Sequence, residues 1–220
     1  MPRAREAGAK LWDWPVRLIH WSFVALMPML WWTAQHDNIS LHKRLGLVML
    51  GLVVARLMWG VVGSEPARFA RFVKGPRGLM AYLRGREKAA AGHNPLGALS
   101  VLALLGLLLA EVVLGLVTQD VDGIESGPLN YLVSFDVAEV ARHLHELVFN
   151  LLLGLIALHL CAILYYRLFK RDNLLTPMVF GRKALDEGMA APAMAPAWRA
   201  LACAVVAAAL AWWLGAGAPH

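Results

Sequence analysis

Val137–Leu168 reads VAEVARHLHELVFNLLLGLIALHLCAILYYRL, and between Glu146 and Arg167 it holds no Asp, Glu, Lys or Arg. At 1.5 Å per residue, about 20 residues cross the roughly 30 Å hydrocarbon core of a bilayer. The run is therefore long enough to span a membrane and still tilt or project. Three histidines sit within it, and two of them, His145 and His159, share a face. At about 100° per residue they point within about 40° of each other, roughly 21 Å apart along the axis. His143 faces about 160° away from His159 and is the weaker candidate. One helix carrying two imidazoles four turns apart on one face suits two stacked cofactors.

The composition agrees with a membrane setting. Of the 220 residues 59% are hydrophobic and 16% charged, with a mean hydropathy of +0.56. An average soluble domain is about 45–50% apolar and about 25% charged. A soluble monomer cannot hide that much apolar surface, and a disordered chain would be far more polar. Two cysteines, Cys161 and Cys203, do not make a disulfide scaffold, and both lie in apolar runs as inert small groups.

Four further runs flank the first. They cover about 16–34, with Pro28 inside and Trp12, Trp14, Trp31 and Trp32 as an aromatic belt, then 41–63, 96–118, and an Ala-rich 198–215. The expected architecture is all-α: a four-helix transmembrane core over 12–183, a linker over 184–197 and a fifth transmembrane helix. The N-terminus has no small-residue cleavage site after an apolar segment, so no signal peptide is expected. With the N-terminus cytoplasmic, 18 of the 21 Lys and Arg fall inside, and only Lys43, Arg44 and Arg142 fall outside. That bias sets the expected orientation, and five spans put the C-terminus in the periplasm. The net charge of +6 is thereby explained by lipid headgroups, without nucleic acid. The 64–92 segment alternates arginines with Phe69, Phe72, Val73, Leu79, Met80 and Leu83, as surface-lying amphipathic helices broken near Gly75-Pro76 would. The 119–136 loop, with Asp120, Asp122, Glu125 and Asp136, is an acidic outer face.

In that topology the histidines pair by depth. His20 in the first run and His159 lie near the inner face; His42 in the second run and His145 lie near the outer face. Two imidazoles per site, with no carboxylate or thiolate expected at the same depth, suit bis-histidine haem iron better than zinc. No Cys-x-x-Cys-His occurs, which excludes covalent attachment and favours b-type haem. Gly46, Gly51, Gly106, Gly115 and Gly154 are candidates for close helix or macrocycle approach. Arg44 and Arg142 near the outer histidines, and Arg17 and Arg56 near the inner ones, are candidate partners of haem propionates. Snorkelling at the interface is the bland alternative for each. His93, in HNPLG, is a candidate for a quinone or haem-edge site, although Asn94-Pro95 can simply open a helix. His36 reads as a loop residue and His220 as a terminal one.

WDWPVRLIHW, LHKRLG, GHNPLG and LHELVFNLLLGLIALH together resemble the bacterial cytochrome b561 family, which includes the b-type cytochrome subunits of membrane-bound nickel–iron hydrogenases. The resemblance covers about Trp12 to Lys183. It implies a four-helix bundle of the bacterial inner membrane carrying two b haems, with ligand roles at His20, His42, His145 and His159. It also implies respiratory electron transfer between the quinone pool and a redox partner. The tail after the linker departs from the simplest members; self-association into an oligomer, a partner, or anchoring are all open to it.

Three functions are weighed. The leading one is electron transfer between a periplasmic redox protein, such as a c-type cytochrome, and quinone, with the acidic loop steering a basic partner. The second is a superoxide:quinone oxidoreductase with the same haems, which needs a basic funnel at the outer end. The third is a haem-free transporter or assembly factor using histidines as proton relays.

Overall fold

The computed structural model describes residues 8–85, 92, 94–119, 125–184 and 190–216. Five long helices dominate: α1 (Trp14–Gln35), α2 (Ile39–Val62), α5 (Pro95–Val117), α6 (Phe135–Leu168) and α8 (Ala197–Gly215). Between them lie the short helices α3 (Phe69–Phe72), α4 (Pro76–Leu83) and α7 (Leu175–Phe180). The protein is an all-α membrane bundle. Among the described residues, α2, α5, α6 and α8 are long and apolar enough to cross a membrane. Helix α1 has the length but not the same hydropathy, since it carries Arg17, His20, His-adjacent tryptophans and Gln35.

Local chemistry sets where four of these helices begin. Asp13, Asn38, Asn94 and Ser134 each cap a helix by accepting the backbone N–H three residues on. Such caps stabilise a helix start by about 1 kcal/mol. Pro15 and Pro95 fall in first turns, where no N–H is required. Helix α1 runs on through Pro28. The 64–92 segment folds as α3 and α4, with the break at 73–75 and Pro76 opening α4.

The long helices pack antiparallel in chain order. Trp59 Nε1 donates to Asp13 Oδ2 at 2.9 Å, tying the end of α2 to the start of α1. Asn94 Nδ2 donates to the Tyr166 hydroxyl at 2.7 Å, tying the start of α5 to the end of α6. Helix α8 lies antiparallel along α2: Arg199 Nη1 donates to the Val62 carbonyl at 3.2 Å, and Gly51 faces Ala211 near the other end. Ala193 and Ala195, ahead of α8, bond to Glu65 and Ser64 after α2, which fixes how the last helix enters.

One end of the bundle is closed by a clasp. Strand β1 (Ala9–Lys10) pairs antiparallel with β2 (Arg182–Lys183). Trp21 Nε1 and Arg17 Nη1 donate to the Met178 and Val179 carbonyls. Gly181 ends α7 at φ +78°, and a Cβ there would meet the Trp12 carbonyl oxygen at 2.7 Å, so the position requires glycine twice over. The other end, where α1 turns into α2 and α5 leads into α6, is called the hairpin end below.

The apolar core sits at mid-depth. Met49, Leu50 and Val53 of α2, Leu108 and Val112 of α5, and Leu152 of α6 form one buried cluster. Helix α6 packs along α5 and makes no more than marginal contact with α1 or α2. Above and below the core, the α6 backbone therefore stands apart from the α1–α2 pair, and side chains such as His42 and His145 reach into the interhelical cleft between them.

Candidate functional site

The cleft holds two histidine levels, one on each side of Leu152. At the hairpin end, His42 of α2 and His145 of α6 approach across it with ring centres 6.3 Å apart and planes at 80°. Two imidazoles on opposite sides of one metal ion, each bonded through nitrogen at about 2.0–2.1 Å, have ring centres about 6 Å apart. The spacing is that of a pair with room for one metal atom between.

Both rings are held by their Nδ1 atoms. His42 Nδ1 bonds to the Leu30 carbonyl of α1 at 3.0 Å and lies 3.3 Å from Thr33 Oγ1. His145 Nδ1 bonds to the Glu111 carbonyl of α5 at 3.0 Å. A ring that donates Nδ1–H to a backbone carbonyl keeps an Nε2 lone pair for a ligand, the usual orientation of metal-binding histidine. Gly115 makes this possible on the α5 side: a Cβ there would stand 3.3 Å from His145 Cε1.

At the clasp end, His20 of α1 packs edge-on against Trp21 and lies within electrostatic reach of His159 of α6. Arg17 is one turn closer to the clasp than His20. Arg56 of α2 lies at a similar depth, one turn from the Trp59–Asp13 bond. Arg56 is only 6% exposed, with its guanidinium over the Phe69 ring at 5.3 Å. Arg56 Nη1 and Arg17 Nε are buried without a hydrogen-bond partner. Arg17 already donates through Nη1 to Val179, and Asp13 is the carboxylate nearest in effect to Arg56, yet each guanidinium keeps one buried N–H free at a similar depth, where an anion could be received.

The outer arginines are placed differently from the inner pair. Arg142 is ion-paired to Glu146 at 2.8 Å and contacts His143. Arg44 lies about 160° around α2 from His42 and lines a groove against α8, so the structure does not bring it to the His42–His145 pair. His93, Asp120 and Asp122 lie outside the described residues. Glu125 of the acidic loop pairs with Lys43.

One site residue was missed by the sequence reading. Glu111 is the sole charged residue of α5. Its Oε1 lies 3.3 Å from His145 Nε2, and its Oε2 is buried without a partner. A lone carboxylate within an apolar span was the available signal, since such groups are rare away from functional sites.

These residues fit a haem. The Nδ1-anchored rings could offer nitrogens to the iron, and the free N–H groups of Arg17 and Arg56 could receive its carboxylates. No group of three or more His, Cys, Asp or Glu suited to a metal ion occurs among the described residues. A family model described as prokaryotic cytochrome b561 matches residues 11–181. No curated protein and no solved structure matches the chain.

Proposed function

The chain belongs to the prokaryotic cytochrome b561 family, multi-pass bacterial membrane proteins that bind haem b and transfer electrons, and from that premise we propose that it carries two b haems, one at each histidine level. His42 and His145 would hold one at the hairpin end. His20 and His159 would hold the other at the clasp end. The observation that carries this reading is the 6.3 Å approach of His42 and His145 across a cleft between helices that barely touch.

Each haem, when bound, would supply one-electron chemistry; the chain's own residues would hold it and set its surroundings. The Leu30 and Glu111 carbonyls hold both hairpin-end rings through Nδ1, which would leave each Nε2 for ligation. Ligation through His145 Nε2 would replace its contact with Glu111. Arg17 and Arg56 would neutralise the clasp-end propionates. The Met49–Val53–Leu152 core keeps water out of the space between the two levels.

The arginine bias supports a cytoplasmic clasp end and a periplasmic hairpin end. The hairpin-end haem would then exchange electrons with a periplasmic redox protein, such as a c-type cytochrome, and the pair would connect it with quinone. Superoxide as the donor is the less favoured reading, because Glu125 and Glu146 neutralise Lys43 and Arg142 at the outer end.

The test is a dithionite-reduced minus oxidised spectrum with haem and protein quantified together. Two b haems per chain are expected; one or none overturns the two-level arrangement. A second expectation concerns Gly115. Gly115→Val drives a branched side chain into His145 and should cost the hairpin-end haem while leaving the other, read as a halved haem-to-protein ratio. An unchanged ratio would mean that His145 is free to move without losing its ligand.

A further inference from the structure

The α2 face that carries Arg44 meets α8 along a groove of about 610 Å³, within the usual size range of ligand pockets. Its walls include Val48, Leu52 and Ala55 of α2 and Ala208 and Trp212 of α8, and it is open along one side. From Arg44 to Ala55 it follows α2 for about 16 Å. That is close to half of a roughly 30 Å hydrocarbon core. Its deep end is stopped at Ala55 and Ala207, which pack on Ile19. Farther toward the clasp, Trp59, Ala200 and Cys203 are buried together and close the seam.

The mouth is charged. Arg44 is exposed and has no carboxylate partner among the described residues, whereas its neighbour Lys43 is taken by Glu125. Trp212, 76% exposed at the same end, is of the type enriched at membrane–water interfaces. A one-leaflet apolar slot with a free guanidinium at its headgroup end is complementary to one kind of occupant.

We propose that this groove seats one acyl chain of a phospholipid from the hairpin-end leaflet, with the lipid phosphodiester against Arg44. A guanidinium can bind a phosphate through two parallel hydrogen bonds, which a neutral headgroup cannot match. A quinone would leave the Arg44 charge unanswered. A helix from a second copy would run the full bilayer depth, and the clasp half of the seam is already filled. The extra helix α8 thus builds a lipid seat against the cytochrome core.

Native mass spectrometry of the haem-loaded protein, exchanged in detergent with dioleoyl phosphatidylglycerol, tests the proposal. The expected result is one phospholipid retained per chain. Ala208→Phe, which fills the slot, and Arg44→Gln, at an exposed position that the fold does not need, should each lower retention by about tenfold or more, about 1.4 kcal/mol of affinity. Dioleoylglycerol, with the same chains and no phosphate, should not be retained. No retained phospholipid, or retention unaffected by both variants, overturns the proposal. So does a retained quinone that the same variants displace, or a chain dimer that they disrupt.

Discussion

His42→Ala and His145→Ala should each lower the haem content from two per chain to one, and they should remove the same haem. His20→Ala and His159→Ala should remove the other. The pairing is tested by combination. If two residues serve one site, the second substitution has nothing further to remove, so His42→Ala/His145→Ala should keep one haem per chain. His42→Ala/His159→Ala crosses the two levels and should leave none. Residues acting on one shared element are non-additive, and residues at independent sites add. The fold should survive these changes, because the mid-depth core of Met49, Val53, Leu108, Val112 and Leu152 contains no histidine. Far-ultraviolet circular dichroism separates loss of haem from loss of helix. Retention of both haems in His42→Ala, or complete loss of haem in His42→Ala/His145→Ala with helicity intact, would contradict the depth pairing.

How much of this was legible beforehand follows from what a linear pattern can encode. Long apolar runs report helices directly, so the five long helices lie where the runs lie. The phase of His145 and His159 is likewise a property of a single helix. Which neighbour a helix turns toward is not. Arg44 and Arg142 were grouped with the outer histidines because they are near in sequence, but two residues along a helix is a turn of about 200°. Arg44 therefore faces α8, while His42 faces the cleft. The Ala-rich α8 carries no mark of its partner, since small residues allow close approach to any helix. The clasp was illegible for another reason: strands of two residues have no period to detect, and Arg17 and Trp21 hold backbone carbonyls of 178 and 179, whose identity the sequence does not constrain. Glu111 was legible as the one charge that breaks the apolarity of α5, although its residue type is not one that ligates haem.

Arg56 carries the second large effect, and its sign depends on whether haem is bound. Without haem, its charge is buried with Nη1 unpaired and only the Asp13 carboxylate, beyond ion-pair distance, to answer it, which costs stability. With a propionate beside it, the same charge completes a buried ion pair, and removing one partner of such a pair typically costs about 3–5 kcal/mol. Arg56→Met keeps the length and apolar stem of the side chain and removes the charge. In the haem-free protein its melting temperature should be equal to or above that of the unsubstituted chain. In the haem-loaded protein it should be lower. The clasp-end haem should bind at least about a hundredfold more weakly, the equivalent of roughly 3 kcal/mol, while the hairpin-end haem is retained. Whatever clasp-end haem remains should have a lower midpoint potential, because a nearby positive charge favours the added electron. Arg56→Lys keeps a charge but not the planar donor fork, and should fall between the two. If Arg56→Met lowers both melting temperatures alike and leaves haem content and potential unchanged, the guanidinium serves only its packing over Phe69, and the clasp-end propionates have another partner.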